Sequence, residues 1–345
     1  MPDSSNIEGR KLDHIRVVLG EDVNAKGIAP GFAAYHLPHT ALPDIDLADV
    51  DTTTTFLGKS LRVPILISSM TGGAQSTERI NRALAEAAEH LGMAMGVGSQ
   101  RAAVADPQLA NTYQVRRVAP RIPLLANLGA VQLNYGFGVE QCKRAVDMIE
   151  ADALILHFNP LQEAVQPEGN VNFKGLLSRI EEVCRALPVP VIAKEVGNGI
   201  SGADALRLYE VGVQVIDVAG AGGTSWSEVE RFRHKTDHGA RVAGAFAGWG
   251  IPTTRSDSQV RQVLPTIPLI ASGGVRSGVD IAKAIVLGAT LAGTARPALA
   301  PAIDERGSAA VVEVLQTYID ELRVAMFCTG SADLQALRML QLHRW

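Results

Sequence analysis

Eight times between Val63 and Arg296 a short apolar run is followed by an amphipathic stretch, and this alternation limits the fold more than any other feature. The runs are VPILISSM from Val63, MAMGVGS from Met93, PLLANLG from Pro123 and ALILHFN from Ala153. PVIAKEVG from Pro190, VQVIDVAG from Val213, PLIASGG from Pro268 and TLAGTAR from Thr290 complete the set. Each is too short for a helix and nearly continuous in apolar residues, as a parallel strand covered on both faces must be. Between them the spacing is helical, with Ile80, Leu84, Ala87 and Leu91 on one face, and Val139, Cys142, Val146 and Ile149 on another. Ser201 and Ser277 each stand three residues before an Asp, as helix caps do. Val311, Leu315, Ile319 and Leu322 predict a last, closing helix. Eight successive βα units predict a (β/α)8 barrel of the TIM type, in one domain of 345 residues. The rival is an open doubly wound sheet, and its fingerprint GNGISG, Gly197 to Gly202, follows the fifth strand where the first would be usual.

Two segments break the rhythm. Residues 1–60 hold no barrel unit and predict an N-terminal extension, and residues 219–252 are too long for an ordinary loop and predict an inserted binding loop. A net charge of −4 offers no footprint for nucleic acid, and no Lys/Arg run marks a membrane surface. No apolar run reaches spanning length, and MPDSSNIEGRKLDH lacks the apolar core of a secretion signal. Cys142, Cys184 and Cys328 show neither zinc spacing nor a disulfide framework. A cytoplasmic protein without membrane or nucleic-acid partners is expected.

In such a barrel the active site is built at the carboxyl ends of the strands. Those ends read Ser68-Ser69-Met70-Thr71, Ser99-Gln100-Arg101, Asn127, His157-Phe158-Asn159, Lys194-Glu195 and Gly273-Gly274. Glycine pairs before a capped helix turn backbone N–H groups toward an anion, so ASGGVRSGVDIA and LAGTARPALA predict a phosphate site after strands seven and eight. Lys194 is either a Schiff-base lysine or one that faces an anionic cofactor, and spacing does not choose between them. HFNPLQE gathers His157, Asn159, Gln162 and Glu163, and a single carboxylate near phosphate suits Mg2+ held partly by water and substrate oxygens. GRKLDH adds Arg10, Lys11 and His14, which form a solvated charge run unless the segment folds over the barrel mouth.

Taken together, RKLDH, SSMTGG, GSQR, ANLGA, HFNPLQE, AKEVGNGIS, VAGAGGTSW and ASGGV closely resemble the type 2 isopentenyl diphosphate isomerases, FMN-dependent enzymes of isoprenoid synthesis. The resemblance implies FMN contacts at Ser68, Ser69, Met70, Thr71, Ser99, Asn127, Lys194 and Thr224, and a cofactor phosphate at Gly273, Gly274, Ala295 and Arg296. It implies a diphosphate substrate held by Arg10, Lys11, Ser99, Gln100, Arg101, His157, Asn159 and Gln162, with Mg2+ on Glu163. Arg296 departs from the family, which usually carries a smaller residue there. Gln162 and His157 are the candidate catalytic residues, Gln162 nearest the carbon skeleton. The implied reaction is a proton shift between isopentenyl and dimethylallyl diphosphate on reduced FMN, primed by NADPH or NADH, in a homo-oligomer (tetramer or octamer). Two rivals remain. A 2-hydroxy acid oxidase on the same barrel needs a His base after strand six, where this chain reads VAGAGGTSW. A non-catalytic flavin or phosphate module has no use for Gln162 and Glu163 beside His157.

Overall fold

The computed structural model describes residues 4–344. In chain order, β1 Ile65–Ile67, β2 Ala94–Gly96, β3 Leu124–Gly129 and β4 Ala153–Phe158 each fall within one predicted run. So do β5 Val191–Glu195, β6 Val215–Asp217, β7 Leu269–Ser272 and β8 Leu291–Thr294. Each strand pairs in parallel with the next, and β8 returns to β1 with Ala292 opposite Ile65. The closed ring excludes the open sheet and leaves no barrel edge unpaired.

GNGISG accordingly has a packing role. Gly199 has φ +84°, and a β-carbon there would lie 2.8 Å from the Ile251 carbonyl oxygen, so glycine lets the loop after β5 seat against the insert.

The barrel interior is filled by Leu66, Leu125, Ile155, Ile192, Val215, Ile270 and Leu291, joined by Phe56 and Leu61. Those last two come from an antiparallel hairpin, Thr54–Phe56 with Lys59–Leu61. Lys59 Nζ lies 2.7 Å from Asp152 Oδ1, just ahead of β4, which fixes the hairpin at the amino-terminal end. With that end plugged by apolar side chains, inward-facing polar residues have room only at the opposite end.

Outside the ring, the helix Gln75–Leu91 buries Ile80, Leu84, Ala87 and Leu91, and the long helix Ser308–Cys328 buries Val311, Leu315, Ile319 and Leu322. Ser201 and Ser277 accept the backbone N–H of Asp204 and Asp280, each at 3.1 Å. A cap of this kind stabilises its helix by about 1 kcal/mol.

The two segments that broke the rhythm meet over the carboxyl end. The extension opens with the helix Ser4–Gly20, and the insert contains the helices Trp226–Arg233 and Asp237–Gly244. They are laced by Ala25 N–H to the Gly223 carbonyl at 2.9 Å and Ser225 N–H to the Val23 carbonyl at 2.8 Å. The condition under which the GRKLDH run ceases to be a solvated charge cluster is met, because Arg10, Lys11, His14 and Ile15 face the space beneath. Among the described residues no helix is long and apolar enough to cross a membrane. All three cysteines are free.

Candidate active site

Beneath this strap lies a cavity of about 580 Å3, within the range of cofactor and ligand sites. Of the residues given a cofactor, substrate, metal or catalytic role from the sequence, all line it but one. Gln100 is the correction: its side chain is fully buried, Nε2 donates to the Ala145 carbonyl at 2.8 Å, and Oε1 accepts the Asn127 N–H at 2.9 Å. One residue beyond Ser99, the side chain turns outward between β3 and the helix Val139–Met148. Its amide is engaged by backbone, so it braces Asn127 and has no donor left for a diphosphate.

The wall at β1 carries three hydroxyls, of Ser68, Ser69 and Thr71, that are buried without a hydrogen-bond partner. Buried hydroxyls are normally satisfied, so three together at a cavity wall await a ligand. Across β7 and β8, Gly273 and Gly274 have φ +104° and +72°, conformations that favour glycine. A β-carbon on Gly273 would meet the Gly220 carbonyl oxygen at 2.1 Å. Arg276 Nη2 and Arg296 Nη1 both donate to Asn24 Oδ1, at 3.0 and 3.3 Å, which holds two guanidiniums beside this glycine cradle. Arg296 thus points into the site. Orphaned hydroxyls on one side and a cationic, glycine-lined phosphate cradle on the other fit a flavin mononucleotide.

At β5, Lys194 is buried and its ammonium lies 3.1 Å from Asp217 Oδ2, the partner that a buried lysine requires. At β4, His157 Nδ1 donates to Asn127 Oδ1 at 2.7 Å, since the Asn127 amide nitrogen donates to the Val97 carbonyl. Burial, with Lys194, Lys11 and Arg10 nearby, pushes the His157 pKa down to about 4. It is a neutral imidazole at neutral pH, with Nε2 left to meet a ligand.

The helix Pro160–Val165 presents Gln162 and Glu163. Asn159 Nδ2 donates to Gln162 Oε1 and Glu163 Oε1, each at 3.0 Å, and Gln162 Nε2 donates to Glu230 Oε1 at 3.0 Å. Glu163 Oε2 accepts the side-chain N–H of Gln166 and the backbone N–H of Asn170, both at 2.5 Å. Among the described residues no cluster of three His, Cys, Asp or Glu stands ready for a metal. The donor set fits only a cation shared between Glu163, water and substrate oxygens.

Glu230 was not foreseen. It is fully buried in the insert, 3.0 Å from His14 Nε2 and paired with Arg233. Burial alone would raise its pKa, but the His14 hydrogen bond and the charges of His14 and Arg233 outweigh it and bring the value down to about 2. The His14 ring also meets Trp226 edge to face at 5.1 Å.

On the same side, Lys11 Nζ donates to the carbonyls of Gly72 and Ser99 and to the Tyr113 hydroxyl. Its three N–H groups are engaged, and burial together with Arg10 lowers its pKa to about 7. Arg10 Nε, by contrast, is buried without a partner. Lys11 therefore pins the strap, whereas Arg10 is open to a ligand.

Fold and site together define an FMN-dependent barrel. The model of the FMN-dependent dehydrogenase family matches residues 4–114 and 164–344. A mandelate oxidase solved with an FMN monooxide adduct superposes with a TM-score of 0.66 at 18% identity, over 96% of this chain and 95% of that one. A lactate oxidase of Pediococcus acidilactici gives 0.67 at 16% identity, over 100% and 95%. These two likenesses speak for the fold. Over the whole sequence the chain is 58% identical to the isopentenyl-diphosphate delta-isomerase of Synechocystis (96% of this chain, 95% of the relative). It is 53% identical to that of Nostoc (97% and 95%) and 50% identical to that of Cronobacter sakazakii (97% and 96%). The chain belongs to the isopentenyl-diphosphate delta-isomerase family.

Proposed function

We propose that this chain interconverts 3-isopentenyl diphosphate and dimethylallyl diphosphate, using FMN that NADPH or NADH reduces once, and Mg2+. The observation that carries the reading is that one cavity gathers two separate sets of groups suited to anions. On the β7–β8 side, Gly273, Gly274, Ala295, Arg276 and Arg296 suit the single phosphate of FMN. On the β2–β4 side, Arg10, Arg101, His157 and Asn159 suit a diphosphate, with Glu163 beside them for the metal. Bound FMN in its reduced form would supply the electron-rich ring and the exchangeable proton that an alkene isomerisation needs. Ser68, Ser69, Thr71 and Asn127 would hold one side of that ring and Lys194 its pyrimidine edge, with Met70, Ser99 and Thr224 lining the same space. The Gln162 amide lines the same cavity and is held at both ends, by Asn159 and Glu230, which suits it to orient the carbon skeleton. Lys11 serves the diphosphate indirectly, by fixing the strap that carries Arg10. The strap covers part of the space beneath it, which would help shield a carbocation-like state from water.

An oxidase reading lacks its base, because the positions after β6 are Val218, Ala219 and Gly220. The reading also takes the extension 1–60 and the insert 219–252 as parts of one domain, in a cytoplasmic homo-oligomer (tetramer or octamer) whose size sedimentation reports. The decisive experiment is anaerobic turnover with isopentenyl diphosphate. Oxidised enzyme should be inactive until NADPH, NADH or dithionite is added, and product should then exceed reductant by a large factor. Heat-released cofactor should have the mass of FMN, and product formed in deuterium oxide should carry deuterium in its new methyl group. Reductant used in proportion to product, or peroxide formed from a 2-hydroxy acid, overturns the assignment.

A further inference from the structure

Lys194 does not stand at the cavity as a lone cation. Asp217 is its direct neighbour across the β5–β6 ladder, is fully buried, and brings Oδ2 to 3.1 Å from Lys194 Nζ. Ser272, at the end of β7, donates its hydroxyl to Asp217 Oδ1 at 2.5 Å and lies 3.4 Å from Lys194 Nζ. The Ala219 N–H reaches Asp217 Oδ1 at 3.3 Å. Three successive strands thus deliver an ammonium, a carboxylate and a hydroxyl into one buried triangle, with Lys194 and Ser272 also lining the cavity. A second carboxyl lies close by. Asp257, on the helix Thr253–Val263, is fully buried with neither oxygen hydrogen-bonded, and burial together with the charge of Asp217 pushes its pKa well up. Burial therefore disfavours a charge on Asp257, and Asp217 is the carboxylate in direct contact with Lys194, while Glu195, the next residue along β5, has its carboxylate tied to the backbone N–H groups of Val196, Gly197 and Asn198.

We propose that Asp217 is a positioning residue for Lys194, and that, locked by Ser272, it fixes the ammonium and offsets the positive charge that the pyrimidine edge of the flavin meets. This rests on the FMN reading above. An unopposed Lys194 would favour the reduced, anionic ring more strongly than the paired one does. Asp217 therefore holds the reduction potential down and keeps the reduced ring electron-rich, which proton exchange with an alkene requires.

The test is the two-electron reduction potential of the FMN-loaded protein, read against a reference dye, with flavin content measured alongside. Asp257→Asn alone should leave the potential where the wild type has it. Asp217→Asn in that background, where neither Asp217 nor Asp257 can carry the charge, should move the equilibrium toward reduced flavin by about tenfold, which is about +30 mV for a two-electron couple. Asp217→Ser in the same background, with room for a water, carries the same expectation and is read if the asparagine variant does not fold. A loaded double variant within about twofold of the wild type overturns the proposal, as does Asp257→Asn alone moving as far as the double variant. A wild-type chain that takes up no FMN overturns the functional reading and this proposal together. A loaded wild type with unmoved variants overturns this proposal alone.

Discussion

Replacing Glu230 by Gln removes one charge and keeps the shape. Glu230 accepts from Gln162 and pairs with His14 and Arg233, and its pKa of about 2 stands against an ordinary 4.5. That gap corresponds to at most about 3 kcal/mol of native-state stability at neutral pH, since burial lowers the His14 pKa and removes most of that ring's charge there. Because the folded value is the lower one, the contribution is full above about pH 4.5 and lost as pH falls toward 2, with roughly half left near pH 3. At about 2.1 cal/mol/K of unfolding entropy per residue, the loss should lower Tm by at most about 4 °C at pH 7. The variant should also lower kcat on the order of tenfold with FMN content unchanged, since the Gln162 amide loses the fixed carboxylate at one end. Thermal denaturation at pH 7 and pH 3, with single-turnover kinetics, checks both. A Tm difference of the same size at the two pH values refutes the charge argument. Wild-type kcat refutes the positioning of Gln162.

Arg10→Ala should weaken substrate binding by about tenfold to a hundredfold, as expected for one charge-assisted contact to a diphosphate. Calorimetric titration measures it, and an unchanged constant after deletion of residues 1–12 returns the segment to a solvated run. Glu163→Gln should weaken the Mg2+ dependence and raise the apparent substrate constant while flavin stays bound; loss of flavin instead would place Glu163 in the cofactor shell. Free His157 is held neutral by its pKa of about 4, so a bound diphosphate should restore its proton, with uptake greatest between about pH 4 and 6.5. Calorimetry in buffers of different ionisation heat reads that uptake, and equal uptake by His157→Gln refutes the assignment.

The eight strands were legible because a strand buried on both faces must be apolar almost throughout, and ALILHF and VIAKE change character only where β4 and β5 reach the cavity. The same logic made His157, Asn159 and Lys194 visible, since a polar residue directly after such a run lies at the carboxyl end. It failed at Gln100, where the chain has left β2 and its side chain no longer follows the strand's alternation. Asp217 ends a correctly read strand, yet its meaning is a contact with Lys194 on the neighbouring one. Glu230 left no mark at all. Its partner His14 is 216 residues away, on a helix whose place over the barrel follows only from tertiary packing.

That packing also explains why the two irregular segments belong to the chemistry. A barrel alone would supply the flavin cradle and the hydroxyls of β1, but neither Arg10 nor a support for the outer end of Gln162. Glu230 contacts a side chain from the extension and one from the helix after β4, so a single buried carboxylate adds a three-way joint to the backbone bonds that already lace extension and insert. Lys11 adds a second anchor, on the carbonyls of Gly72 and Ser99 at the ends of β1 and β2. Arg10, proposed to meet the diphosphate, and the Gln162 amide, proposed to orient the carbon skeleton, are therefore brought into register by the same packing of strap on insert. On that reading, the contacts that cover the site are also the ones that place Arg10 and Gln162.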